Sequence, residues 1–259
     1  MPLRAREADG TVSVMPTRLV HIAFDAADHR RLARFWADAL GWNLAEDLPE
    51  EATASPAGFH YPGPEALPLT FIPSAEPKTV KNRVHLDLAS QSPADQQAIV
   101  SRLLDLGARH VDIGQGDVPW VVMGDPEGNE FCVLEPRPVY LGIGPIAAVV
   151  VDSAHPASLA GFWELAAGWV RSANRTDMAA LRSPAGLGPY LELLPSDDKR
   201  VVKNRVHLDV APLRGEDQAA AVGALLTAGA TRADIGQGDV PWVVMADPEG
   251  NEFCVLTDR

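Results

Sequence analysis

Apolar runs of strand length alternate with helical stripes along the chain. LVHIAF at 19–24 reads as a strand. From Asp28 to Leu40, Leu32, Phe35, Trp36, Ala39 and Leu40 recur at helical spacing, with Gly41 placed as the stop. LTFI at 69–72 is again strand-like. Arg83 to Leu88 opens a second unit, in which Ser92 and Pro93 begin a helix that runs through Leu106 to Gly107. Short strands follow at 110–113, 120–123 and 130–135, the last two joined by a turn at Asp125-Pro-Glu-Gly128. The order is a βαβββ unit, twice, and then the whole pattern returns.

The return is nearly literal. VKNRVHLD stands at 80–87 and 202–209, DIGQGDVPWVVM at 112–123 and 234–245, and DPEGNEFCVL at 125–134 and 247–256, all at one offset of 122. LARFWADALGW at 32–42 answers LAGFWELAAGW at 159–169 at an offset of 127, so the first copy carries five extra residues between Asp47 and Pro68. A period of about 120 residues is domain-sized. The expected organisation is a flexible tail at 1–16, one domain at 17–138, a linker at 139–143 inside the Pro- and Gly-containing stretch 136–144, and a second domain at 144–259. A helix returned onto several strands predicts an α+β fold: a curved mixed sheet with helices outside and a cavity on its inner face.

Composition removes several function classes. The 259 residues hold 22 Lys and Arg against 35 Asp and Glu, a formal net charge of −13. That balance opposes nucleic acid and anionic membrane as partners. Two cysteines cannot build a disulfide framework, and no apolar run approaches the roughly 18 residues that span a bilayer. Residues 1–17 contain no secretory apolar core, so a cytoplasmic location is expected.

Strand alternation sorts the chemistry. In the 83–88 strand Val84, Leu86 and Leu88 share one face, while Arg83, His85 and Asp87 share the other; the second copy repeats this as Arg205, His207 and Asp209. An ion pair flanking a histidine on a half-exposed strand is the purely structural reading. A binding surface is the functional one. In the last strand Cys132, with counterpart Cys254, shares a face with Glu130 or Glu252, and a strand cysteine is usually a small buried apolar side chain. Trp120 and Trp242 follow a Gly-Gln-Gly loop, where they either fill core or wall a cavity; Trp36 and Trp163 belong to helical stripes and read as core. Gly114-Gln115-Gly116 lacks the lysine and helix of a phosphate loop.

Taken together, HIAF at 21–24, RFWADALGW after it, the doubled βαβββ order and DPEGNEF before the last strand resemble the glyoxalase-like branch of the vicinal oxygen chelate superfamily. The resemblance covers nearly everything from residue 17 onward. It implies a choice among metal enzymes acting on vicinal oxygens and metal-free binders of small organic molecules. Metal enzymes of this superfamily draw His or Gln, Glu, His and Glu from the first and last strands of each unit, and a divalent ion there supplies Lewis acidity. By that pattern the first copy offers His21, Thr70, His85 and Cys132, and the second Ala148, Glu192, His207 and Cys254. Neither set is complete. The metal candidates are His21, His85, Glu192 and His207, and His21 with His85 and Cys132 is a donor set of zinc type; Zn, Ni, Mn and Fe are the ions considered.

Three readings stay open. One is a metal-free binder, with Trp120 and Trp242 as apolar contacts and with Arg83, Asp87, Cys132, Arg205, Asp209 and Cys254 lining the site. Another is an enzyme in which His85 or His207 acts as base. The last is an interaction protein with filled cavities. Monomer and homodimer are both compatible with four units in one chain, and units can pair within a copy or exchange between copies. Exchange would bring His21 to Glu192.

Overall fold

The computed structural model describes residues 4–6, 12–172 and 178–257. Within the segment expected as a tail, β1 (Arg4–Arg6) pairs antiparallel with β2 (Val12–Val14); residues 1–3 and 7–11 lie outside the described residues. The first unit comprises β3 (Thr17–Ala26), α1 (His29–Leu40), β4 (Asn43–Asp47), β5 (Ala52–Ser55) and β6 (Leu69–Pro73). The second comprises β7 (Val84–Leu88), α2 (Pro93–Asp105), β8 (Arg109–His110), β9 (Val121–Gly124) and β10 (Glu130–Val133). The third holds β11 (Ile146–Ser153), α3 (Pro156–Ala167), β12 (Val170–Arg171), β13 (Ala179–Arg182) and β14 (Tyr190–Pro195). The fourth holds β15 (Val206–Pro212), α4 (Gln218–Thr227), β16 (Thr231–Arg232), β17 (Val243–Ala246) and β18 (Glu252–Val255).

Helix ends follow the local chemistry. Asp28 caps α1 by accepting from the Arg31 N–H, and Gly41 closes it in the left-handed region at φ 66°, a conformation that favours glycine. Ser92 caps α2 through the Asp95 N–H, with Pro93 in the first turn. Trp36 and Trp163 are fully buried between helix and sheet, each packed edge-on against the phenylalanine of its opposing final strand, Phe131 and Phe253. Their indole N–H groups donate to Asp125 and Asp247. Those carboxylates also accept from the backbone and side chain of Asn129 and Asn251, which makes the repeated DPEGN segment a structural turn.

The copies do not keep their units to themselves. One eight-stranded sheet runs β12-β13-β14-β11-β7-β10-β9-β8 and the other β16-β17-β18-β15-β3-β6-β5-β4. The first, here the middle sheet, joins the second unit to the third. The terminal sheet joins the first to the fourth. Both central pairings, β7 with β11 and β3 with β15, are antiparallel. The helical side of both sheets shares one apolar core, while the other face of each carries its own small cluster, around Tyr140 and Cys132 in one and Cys254 in the other.

Among the described residues no helix is long and apolar enough to cross a membrane. Arg83 and Arg205 clasp the units together. Arg83 donates to the Asp152 and Asp198 carbonyls and to Asn251, and Arg205 to the Glu76 and Asp25 carbonyls and to the Glu127 carboxylate.

Candidate functional site

Register across each sheet determines which side chains meet. In the terminal sheet Asp209 lies opposite His21 on one side and Cys254 on the other, with His207 two residues away on the same face. His21 Nε2 lies 3.0 Å from Asp209 Oδ2, and because a carboxylate only accepts, the ring nitrogen donates. His207 Nε2 is 3.3 Å from Asp209 Oδ1, the Cys254 N–H donates to that oxygen at 3.1 Å, and Cys254 Sγ stands 3.8 Å from His207 Nε2. All four residues are buried. Burial raises a carboxyl, but the charge of His207, the hydrogen bond and charge of His21 and the Cys254 N–H outweigh it and hold Asp209 below the usual carboxylate value. The same burial, with Asp209 alongside, pushes the Cys254 thiol far up and keeps it protonated.

The middle sheet repeats the frame with different occupants. Asp87 lies opposite Cys132 and, on the other side, opposite Ala148 where the terminal sheet has His21. Glu192 stands in the row of His85 across Val150, where the terminal sheet has Thr70, bonded to Thr53 across the strands. His85 Nε2 is 3.5 Å from Asp87 Oδ1, beyond hydrogen-bond geometry, and Asp87 Oδ1 is a buried atom with no hydrogen-bond partner among the described residues. The Cys132 thiol is also pushed well up, by burial and then by Asp87. Glu192 accepts from the Tyr140 hydroxyl at 2.6 Å, both side chains being fully enclosed. Tyr140 comes from a 3-10 turn, Pro138–Tyr140, in the connection between copies.

A 340 Å³ cavity opens over this face, lined by His85, Asp87, Trp120, Cys132, Arg137 and Glu192 among others. Trp120 donates its indole N–H to Gln115 at 2.8 Å, and the Arg137 guanidinium sits 5.7 Å over its ring.

Several sequence expectations change here. His21 and His85 lie on different sheets, so the set His21, His85 and Cys132 does not converge, and neither copy assembles its own four positions. Exchange of units does occur, yet it joins His21 to His207 and Cys254, and Glu192 to His85 and Cys132, rather than His21 to Glu192. Arg83 and Arg205 are absent from the cavity lining because each precedes its strand and turns away to clasp a neighbouring unit. His85, Asp87, Trp120 and Cys132 come together as one wall, and His207, Asp209 and Cys254 as its counterpart. Trp242 packs on the cluster containing Cys254. Tyr140 and Arg137 were missed by the sequence; the only signal was an aromatic residue inside an otherwise linker-like stretch.

The donor sets can be tested for a metal. The ligand atoms of His207, Asp209 and Cys254 all lie within 4.8 Å of one another, as do those of His85, Asp87 and Cys132. Metal–ligand bonds of about 2.0 to 2.3 Å in a tetrahedral zinc site put donors about 3.3 to 3.7 Å apart. The separations of 3.3 and 3.8 Å around His207 are close to that, and His21 stands behind Asp209 as a hydrogen-bond donor rather than a ligand. Imidazole, carboxylate and thiolate suit a borderline ion such as zinc better than magnesium. In the middle sheet Ala148 removes that supporting histidine.

Two eight-stranded sheets, each of paired βαβββ units around an inner face with strand histidines, define the vicinal oxygen chelate architecture. The chain belongs to the glyoxalase-like domain family, matching it at residues 21–134 and 148–256. Glyoxalase I from Zea mays shares the fold at a TM-score of 0.63 and 15% identity, covering 93% of this chain and 92% of that one. A putative dioxygenase from Bacillus subtilis aligns at a TM-score of 0.59 and 16% identity, covering 94% and 86%. No curated protein matches the sequence.

Proposed function

We propose that the middle-sheet cavity binds a small organic molecule without a complete glyoxalase-type metal site. The observation that carries this reading is the 340 Å³ space itself, in which an apolar Trp120 wall meets the convergent polar groups of His85, Asp87 and Glu192. Its volume is that of an ordinary ligand pocket. A thermal-shift screen of aromatic and oxygenated metabolites is the test. For any hit, Trp120→Ala and His85→Ala weaken binding about tenfold or more, and Trp242→Ala and His207→Ala leave it unchanged. Equal losses in both pairs would remove the reading.

The clusters around His207 and His85 support a second reading, an enzyme of this superfamily. A divalent ion held by His207, Asp209 and Cys254, with His21 orienting Asp209 from behind, would supply Lewis acidity to a bound oxygen. In the middle sheet His85 takes a proton from the bound ligand, with Asp87 beside the ring. Elemental analysis of protein purified without chelator decides the metal part. Absence of stoichiometric metal, together with a melting temperature indifferent to added Zn, Ni, Mn or Fe(II), sinks it.

A further inference from the structure

The internal duplication places the same buried aspartate in two surroundings. In the terminal sheet the protein answers Asp209 completely: His21 donates to one oxygen and the Cys254 N–H to the other. In the middle sheet Ala148 replaces His21, and Asp87 Oδ1, which faces His85 as Asp209 Oδ1 faces His207, has no N–H or O–H donor among the described residues, with the Cys132 thiol beside the carboxylate. A buried carboxylate oxygen without a donor is costly. Asp87 lines the cavity, and a carboxylate turns about its broad terminal torsion to present either oxygen there. The missing donor is one that a ligand can bring.

The remaining lining points the same way. Among the described lining residues the carboxylates Asp87, Glu130 and Asp152 face two side-chain cations, Lys81 and Arg137, and Glu192 takes the Tyr140 hydroxyl. Lys81 is occupied by Asp152, and Arg137 by Glu135. Glu130 is matched by Lys78, from outside the cavity. The Cys132 thiol beside Asp87 is a weak donor at best. Trp120 supplies an aromatic face, which favours a planar or cationic partner.

Resting on the binding reading above, we infer that this cavity takes a ligand carrying an N–H donor, an amine or protonated nitrogen heterocycle on a planar apolar body. Its nitrogen meets Asp87 from the cavity side, and its apolar part lies along Trp120. The terminal sheet thus displays, as a side chain of the protein, the group that the middle sheet draws from solution.

Calorimetric titration of the full chain in chelator with benzylamine, benzyl alcohol and benzoate tests this, because the three share a ring and differ in the polar group. Benzylamine is expected to bind about tenfold tighter than benzoate, as a charge-assisted hydrogen bond requires. Asp87→Asn, which keeps the shape, reduces that preference to about threefold or less while circular dichroism stays unchanged; Asp87→Ala serves if the amide perturbs folding. Benzoate binding as tightly as benzylamine overturns the inference, and if Trp120→Ala then weakens all three probes the cavity reading stands without it. Failure of every probe to bind overturns both. Zinc chloride that stabilises the chelator-free protein through Asp87, with no competition from benzylamine, assigns the open oxygen to a metal and overturns the amine.

Discussion

In the terminal sheet a buried aspartate is enclosed by donors from three strands of the protein; in the middle sheet its repeat-mate faces a cavity. One substitution, histidine at 21 against alanine at 148, accounts for most of the difference. A second is the linker, which sends Tyr140 onto Glu192 over the middle sheet. Duplication kept the frame, and two local changes turned one inner face into a closed polar network and left the other open. Near-identical strands therefore need not mean equivalent sites.

The comparison breaks most directly at the aspartates. Asp209→Ala strands His21 and His207 in a buried site and is expected to cost about 3–5 kcal/mol in urea unfolding, whereas Asp87→Ala costs about 1 kcal/mol or less. Equal losses would erase the distinction between the sheets. The Asp209 effect also has a pH signature. Its folded carboxyl lies below the usual value, so its stabilisation is complete above about pH 4 and disappears as pH falls through the lower folded value. The gap between wild type and Asp209→Ala therefore closes in acid, and a gap that widens there contradicts the pairing.

Tyr140→Phe sharpens the other side. It removes the one hydroxyl shown on Glu192 and is expected to cost about 1–3 kcal/mol. A neutral result would mean that the linker merely passes over the cavity. The smallest effect concerns the thiols. Both are raised by burial, so native protein at pH 8 reacts with disulfide reagents far more slowly than unfolded protein, which titrates two thiols. Residual native labelling is expected first at Cys132, which lines the cavity; first labelling at Cys254 would reverse the assignment of open and closed sites.

Much of this was written in the chain. Periodicity placed α1 and α2 to within a residue or two, with Gly41 ending the first and Ser92 opening the second, because such end signals act locally. Alternation separated Cys132 from Phe131 and placed His85 with Asp87, because a strand has only two faces. It misled at Arg83 and Arg205, since alternation lapses one residue before the strand begins. The pairing of units was not legible at all. The edges of β7 and β15 carry the same VHLD sequence, and nothing in an apolar strand names which neighbour it will bond. Without that pairing, the four ligand positions could only be grouped by copy, which is how His21 and His85 came to be expected in one site.

Exchange of units also sets an order in time. The middle sheet is one continuous stretch of chain, 84–195, whose central pairing joins Val150 to His85 only 65 residues apart. The terminal sheet must bring Asp209 to His21 across 188 residues, a loop whose closure costs about 1 kcal/mol more. A chain made from its N-terminus holds β3 waiting while the middle sheet completes, and the outer halves then close around it. The His21–Asp209–His207 network is thus the last joint to form, a seal fastened by the final fifty or so residues over a nested sheet already in place.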